Sequence, residues 1–137
     1  MRGTRADEQR LATLEDAIDR LREKAEVGTV VVEGSHDLAA LDWLGIGGLH
    51  VTAQKGLAVA ELVEELVCSP PPIVLLLDWD RAGGRLHVRL FEQLAARVQV
   101  DSDCRRRLAA ICHCRSLEEL PAELEALRRA VHGPRDR

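Results

Sequence analysis

The apolar residues of this chain follow two different spacings, and these spacings predict an ordered series of helices and strands. Near the start, apolar residues recur every three or four positions and predict an amphipathic helix over residues 7–26. A short β-branched run at residues 29–32 and an uninterrupted apolar run at residues 73–77 are typical of strands that are buried on both faces. Glycine-rich or proline-rich segments separate these elements from their neighbours.

Weaker patterns complete the series. They predict helices over residues 35–44, 57–67, 84–97, 104–110 and 117–131, and strands at 50–52 and 98–100. Short strands that alternate with helices indicate an α/β fold in which about four parallel strands are sandwiched by helices, with right-handed crossovers. We therefore expect an N-terminal helix (1–28), an α/β core (29–103) and a C-terminal basic helical segment (104–137) packed on that core.

Composition and charge narrow the class of protein. With 137 residues, of which 46% are hydrophobic and 31% charged, the chain is expected to fold as one domain. The longest apolar run is far shorter than a membrane helix, and the N-terminus lacks the apolar core of a signal peptide, so we expect a cytoplasmic protein with no membrane partner. The N-terminal apolar stripe fits packing on its own sheet or against a second copy, so a homodimer stays open.

Acidic residues follow the predicted strands. They are Glu33 and Asp37 after the first strand, Asp78 and Asp80 after the third, and Asp101 and Asp103 after the fourth. The carboxyl ends of parallel strands share one edge of a sheet, where ligand sites form. Carboxylates at one edge repel each other unless a cation lies among them, and Mg²⁺ prefers oxygen ligands. The structural alternative is that each of these acidic residues only caps a helix or forms a turn.

Two of these segments resemble the motifs of a known superfamily. Residues 30–37, VVVEGSHD, resemble the first motif of the Toprim domain, a hydrophobic strand followed by EGxxD. Residues 78–83, DWDRAG, resemble its second motif, DxDxxG, and both motifs occur in the expected order. The resemblance covers roughly residues 29–101 and is strongest to small stand-alone prokaryotic and archaeal Toprim proteins related to ribosomal RNA maturation nucleases.

The resemblance implies roles for individual residues. Glu33 matches the general acid/base and a possible metal ligand, and Asp78 and Asp80 match the Mg²⁺-binding pair; Mn²⁺ is expected to substitute. Gly34, Asp37 and Gly83 match supporting positions of the motifs. The implied function is phosphodiester hydrolysis or nucleotidyl transfer on RNA or DNA, in the manner of an RNA-processing nuclease. The alternatives are a non-catalytic nucleotide or nucleic-acid binding module and a small-molecule phosphotransferase.

Basic residues and cysteines add weaker signals. Lys55, Arg81 and Arg85 lie where they can hold a substrate phosphate, although loop cations are more often simply solvated. Residues 104–137 carry 8 basic and 5 acidic side chains, which fits either a basic flank for nucleic acid or a solvated helical surface. Cys112, His113 and Cys114, taken with Cys104, match no common zinc spacing, so we expect buried thiols rather than a metal site.

Overall fold

A computed structural model describes residues 3–53 and 58–133 of the chain. The α-helices are α1 (Arg5–Val27), α2 (Ser35–Trp43), α3 (Val59–Val67), α4 (Arg81–Leu94), α5 (Asp103–Ile111) and α6 (Leu120–His132). The strands are β1 (Thr29–Val32), β2 (Leu49–Thr52), β3 (Ile73–Leu75) and β4 (Val100–Asp101), and a 3₁₀ turn spans Leu117–Glu119.

The four strands form one parallel sheet in the order β2-β1-β3-β4. β1 and β3 are the central strands, and their register pairs Thr29 with Ile73 and Val31 with Leu75. Every residue of these two strands is fully buried, as expected for strands covered on both faces. The predicted α/β class with about four parallel strands is therefore confirmed, and the architecture is Rossmann-like.

Successive residues of the central strands face opposite layers of helices, because side chains alternate along a strand. Val30 and Val74 join a core built with α1, α2, α5 and α6. Val31 and Leu75 join a second core built with α3 and α4. The sheet thus separates two hydrophobic cores, and residues beyond position 104 contribute to the larger one.

The apolar stripe of α1 is buried within the chain rather than left for a second copy. Leu14 and Leu21 are fully buried, and α1 packs against α5 and α6. Helix α1 is the longest described helix, with 23 residues, and the faces that it turns away from the core are charged. No helix in the described ranges is long and apolar enough to cross a membrane.

Several predicted boundaries differ from the structure. Helix α4 begins at Arg81 instead of residue 84, because the side chain of Asp80 caps it, and it ends at Leu94 instead of 97. Strand β3 ends at Leu75 instead of 77, although the next amide still donates to the carbonyl of Val31 at 2.8 Å. Strand β4 lies at 100–101 instead of 98–100. The earlier start of α4 matters most, since it fixes the loop that carries the second acidic motif.

We expect Leu14→Ala to lower the free energy of unfolding by about 2–5 kcal/mol, because it leaves a cavity between α1 and the sheet. Gln9→Ala, at an exposed position of the same helix, is the matched control and is expected to change it by less than about 0.5 kcal/mol. Urea denaturation measures both values. Equal effects would show that α1 is not an integral part of the core.

Candidate functional site

The turn after β1 is held by a buried carboxylate. Gly34 occupies the N-cap of α2, and its N–H donates to Asp37 Oδ2 at 3.0 Å. The other oxygen, Asp37 Oδ1, accepts the N–H of Glu118 from the 3₁₀ turn at 3.0 Å. Asp37 therefore uses both oxygens on backbone donors, and it joins the first acidic motif to the C-terminal segment.

The turn after β3 places three consecutive side chains in different environments. Asp78 is half-buried, and Asp80 is exposed at the N-cap of α4, where its Oδ1 accepts the N–H of Gly83 at 2.7 Å. Trp79, between them, packs against the core that contains α1, and its indole N–H donates to the carbonyl of Cys114 at 2.6 Å. Trp79 therefore packs away from the two carboxylates that flank it.

The pairing of β1 with β3 brings the two acidic motifs together. A cleft of about 270 Å³ opens at their carboxyl ends. Its lining residues are Glu33, Gly34, Ser35, His36, Asp37, Asp78 and Glu118. At the rim, His36 Nδ1 lies 3.3 Å from Glu118 Oε1. Glu33 and Asp78 from the first and second motifs thus share one cleft.

Asp78 is the electrostatic centre of the cleft. Burial, together with the nearby negative charges of Glu33, Asp37 and Asp80, raises the pKa of its carboxyl to about 7. Asp78 Oδ1 is buried and has no hydrogen-bond partner in the described part of the chain. The cleft therefore holds more negative charge than its own residues neutralise.

Arg105, in the first turn of α5, provides a cation beside the cleft, close to Glu33, Asp78 and Asp80. Its Nε donates to the carbonyl of Leu77 at 2.9 Å, and its Nη2 donates to the carbonyl of Asp78 at 2.7 Å. Burial lowers the pKa of Arg105, while the charges of the nearby carboxylates raise it. The guanidinium stays charged, because arginine titrates far above neutral pH. Through these two hydrogen bonds, the guanidinium of Arg105 fixes the backbone at Leu77 and Asp78.

The other predicted site residues are placed less directly. Arg81 and Arg85 are exposed on the first turns of α4, and neither forms an ion pair with a described residue. Lys55 lies outside the described residues. The amides of Gly34 and Gly83 donate to Asp37 and Asp80, so both glycines serve the turns that carry the acidic motifs.

The acidic residues at the end of β4 do not join the cleft. Asp101 is buried, pairs with Lys24 and accepts the N–H of Cys104 at 3.0 Å. Asp103 pairs with Arg106 and Arg107 on its own helix. The expectation of a shared acidic edge therefore holds for β1 and β3 and is wrong for β4, whose carboxylates serve local structure.

The C-terminal arginines are largely paired with carboxylates. Besides the pairs with Asp103, Arg128 contacts Glu15 at 3.1 Å and Arg129 contacts Glu125 at 3.7 Å. This arrangement corresponds to the solvated helical surface rather than to a continuous basic flank. Sequence reasoning placed Arg105 in that flank and so missed its position in the cleft. Its location in the first turn after a parallel strand is the signal that identifies it.

Comparison with known proteins gives a consistent group of relatives. The chain is 30% identical to a UPF0292 protein of Thermoplasma volcanium over 77% of this chain and 90% of the relative. It is 31% identical to a UPF0292 protein of Pyrococcus furiosus over 89% of this chain and 92% of the relative. Among solved structures, a protein from Aquifex aeolicus matches with a TM-score of 0.64 and 28% identity, covering 77% of this chain and 96% of that one. No family model matches the chain.

The sheet and its acidic edge define an α/β protein with a cleft at the carboxyl ends of its central strands. Within that class, the chain belongs to the UPF0292 family.

We expect Asp78→Asn to raise the free energy of unfolding at pH 8 in metal-free buffer by on the order of 1 kcal/mol. An aspartate in the unfolded chain titrates near pH 4, whereas Asp78 in the folded chain titrates near 7. Between about pH 4 and pH 7 the folded state therefore binds more protons than the unfolded state. The free energy of unfolding falls as the pH rises through this range. Urea denaturation at pH 4 and pH 8 measures this slope, with Asp42→Asn as an exposed control. An unchanged slope in the Asp78 variant would contradict the assignment.

The paired glycines of the second motif offer a matched comparison. A Cβ on Gly83 would lie 1.9 Å from the carbonyl oxygen of Asp78, so Gly83→Ala is expected to displace this loop and destabilise the fold by about 1–3 kcal/mol. A Cβ on Gly84 would meet only Arg105 Nη2 at 3.8 Å. Gly84→Ala is therefore expected to stabilise α4 by about 0.5–1 kcal/mol. Thermal unfolding ranks the two, and a reversed order would refute this account of the loop.

Proposed function

We propose that this chain is a Toprim-type, Mg²⁺-dependent phosphodiesterase that hydrolyses or transfers phosphodiesters of nucleic acid, as an RNA-processing nuclease does. The observation that carries the proposal is the meeting of Glu33 and Asp78 in one cleft, with the buried Asp78 Oδ1 left without a hydrogen-bond partner among the described residues. The two motifs and a four-stranded parallel sheet support the Toprim assignment.

The donor set fits Mg²⁺, with Mn²⁺ as a substitute. Glu33 and Asp78 line the cleft, and Asp80 lies outside its lining but close enough for its charge to act on Asp78. All three offer only carboxylate oxygens, which hard divalent cations prefer. Asp80 retains its second oxygen after Oδ1 accepts the N–H of Gly83. When bound, the ion would stabilise negative charge on the phosphoryl oxygens of the substrate.

The remaining steps fall to side chains of this chain. Glu33 is assigned the proton transfer, because it lines the same cleft as Asp78. Asp37 holds the Glu33 turn through its two backbone hydrogen bonds. Arg105 holds the Asp78 loop from the other side and adds positive charge near the phosphate. Arg81 and Arg85 are exposed near the start of α4, where they can contact a polyanion.

A second candidate is hydrolysis or transfer of phosphate on a small molecule. The pairing of Arg106, Arg107 and Arg128 with carboxylates removes much of the positive surface that a polymer would use. The cleft itself is of a size that suits a compact phosphate ester. The same carboxylate chemistry serves both substrates, so substrate preference separates the two candidates.

We expect purified protein to cleave end-labelled structured RNA, single-stranded RNA or DNA when Mg²⁺ or Mn²⁺ is added. Glu33→Gln is expected to lower the rate by about 100-fold or more, because it removes the proton-transfer group. Asp80→Asn is expected to weaken Mg²⁺ binding, measured by calorimetry, with little change in the far-ultraviolet circular dichroism spectrum. Glu92→Gln, an exposed carboxylate of α4, is the matched control and should retain full activity.

The substrate panel also includes free nucleotides and small phosphate esters. Turnover of these compounds alone would favour the second candidate. Metal-dependent binding of nucleic acid without turnover would indicate a non-catalytic binding module. Cleavage that persists in Glu33→Gln would overturn the assignment of Glu33.

A further inference from the structure

A second group of metal-ligating side chains lies outside the carboxylate cleft. Helix α5 ends at Ile111, and the following loop carries Cys112 and Cys114 before the first turn of α6 brings in Glu123. The two sulfur atoms and one carboxylate oxygen of Glu123 all lie within 4.8 Å of one another. The four cysteines are free thiols, and Cys104, which sequence spacing grouped with this loop, instead packs in the core beside Asp101.

We propose that Cys112, Cys114 and Glu123 bind a divalent cation of the zinc class, with solvent at the fourth tetrahedral position. Two thiolates and a carboxylate select Zn²⁺ over Mg²⁺, because sulfur is a soft ligand and Mg²⁺ requires oxygen. Tetrahedral zinc places its ligands about 2–2.3 Å from the ion, so ligand atoms within 4.8 Å of one another need only a small contraction. The third ligand is distant from the cysteines in sequence, which explains why their spacing matched no common zinc pattern.

Glu123 is oriented before any ion binds. Its carboxylate accepts the N–H of His113 at 2.9 Å and the N–H of Cys114 at 2.7 Å, so the loop wraps around this side chain. Arg10 of α1 forms an ion pair with the same carboxylate. These outer contacts are of the kind that fix the orientation of a metal ligand and tune its affinity. The ligand carboxylate is thus held by two helices and the loop at once.

The charges also balance. Zn²⁺ with two thiolates and one carboxylate carries a net charge of about −1. The guanidinium of Arg10 supplies the opposite charge through its ion pair with Glu123. The two thiol protons pass to solvent when the ion binds. A partly buried site of this composition is therefore neutral, which lowers the cost of keeping it away from water.

Solvent can reach the site from one side. Cys112 and His113 line a surface groove of about 430 Å³ between α1 and the end of α5. Cys114 is half-buried, whereas Cys104 is fully buried. Cys104 has the environment of a thiol that serves only as a small apolar residue. Cys112 and Cys114 have in addition a shared carboxylate and a route for an ion to enter.

The position of this site gives it a structural role. Trp79 donates its backbone N–H to the carbonyl of Arg115 at 2.8 Å and its indole N–H to the carbonyl of Cys114 at 2.6 Å. Trp79 stands between Asp78 and Asp80, so the cysteine loop supports the second acidic motif from behind. A bound ion would make this support more rigid without contacting a substrate.

The test uses the full chain, reduced and stripped of metal with a chelator, and titrated with Co²⁺ as a spectroscopic probe. We expect one Co²⁺ per chain with thiolate-to-cobalt charge-transfer absorption, and we expect Zn²⁺ but not excess Mg²⁺ to displace it. Cys114→Ser and Cys112→Ser each remove one of the two thiolates, so each should lower the intensity of this absorption and weaken Co²⁺ binding, and the double variant should abolish the absorption. Cys68→Ser, which removes an exposed cysteine outside the cluster, should leave it unchanged. Zn²⁺ should also raise the Tm of the parent chain and not that of the Cys114 variant.

The parent chain alone can overturn the proposal, whether or not the variants fold. Absence of thiolate-to-cobalt absorption in the reduced chain would refute the site. Absorption of unchanged intensity and Co²⁺ affinity in a folded Cys114→Ser variant, verified by circular dichroism, would refute the ligand assignment. Glu123→Gln should weaken Co²⁺ binding by about 10-fold or more while keeping the thiolate band. These readouts do not depend on catalysis, so they stand apart from any result for the carboxylate cleft.

Discussion

The parallel pairing of β1 with β3 is the interaction on which the rest of the structure depends. Because the two strands run side by side in register, the residues that follow them emerge at the same edge of the sheet. Both strands are fully buried, so two layers of helices are required to cover them. The carboxylate cleft is thus a consequence of how the sheet is assembled, and the helices hold that assembly in place.

Concentrating carboxylates at this edge has an energetic cost, and the surrounding residues limit it unequally. Asp37 is stabilised by two backbone N–H donors, and Asp80 by one. Arg105 lies close by, but its guanidinium is used on the carbonyls of Leu77 and Asp78. The Asp78 carboxyl receives the least compensation, and its pKa is raised to about 7. An exogenous cation is the natural way to relieve this imbalance.

The sequence predicts the elements that depend on local pattern and misses those that depend on distant contacts. The β-branched run at 29–32 and the apolar run at 73–77 predict the two central strands, since few other structures suit such segments of that length. The start of α4 was predicted three residues late, because a run with two glycines looks unlike a helix until Asp80 caps it. The contributions of Glu118 and Arg105 were missed, because the tertiary packing of the C-terminal third brings both residues to the acidic motifs. Glu123 was missed as a metal ligand for the same reason.

Trp79 makes two hydrogen bonds that reach well beyond its own loop. A residue that contacts no substrate thereby links the second acidic motif to a loop more than thirty positions away in the chain. Mutational tolerance at these two places cannot be independent: a smaller or non-donating side chain at position 79 would call for a compensating change near Cys114. Among descendants of a common ancestor, the two segments are expected to diverge together, even where the carboxylates themselves stay fixed.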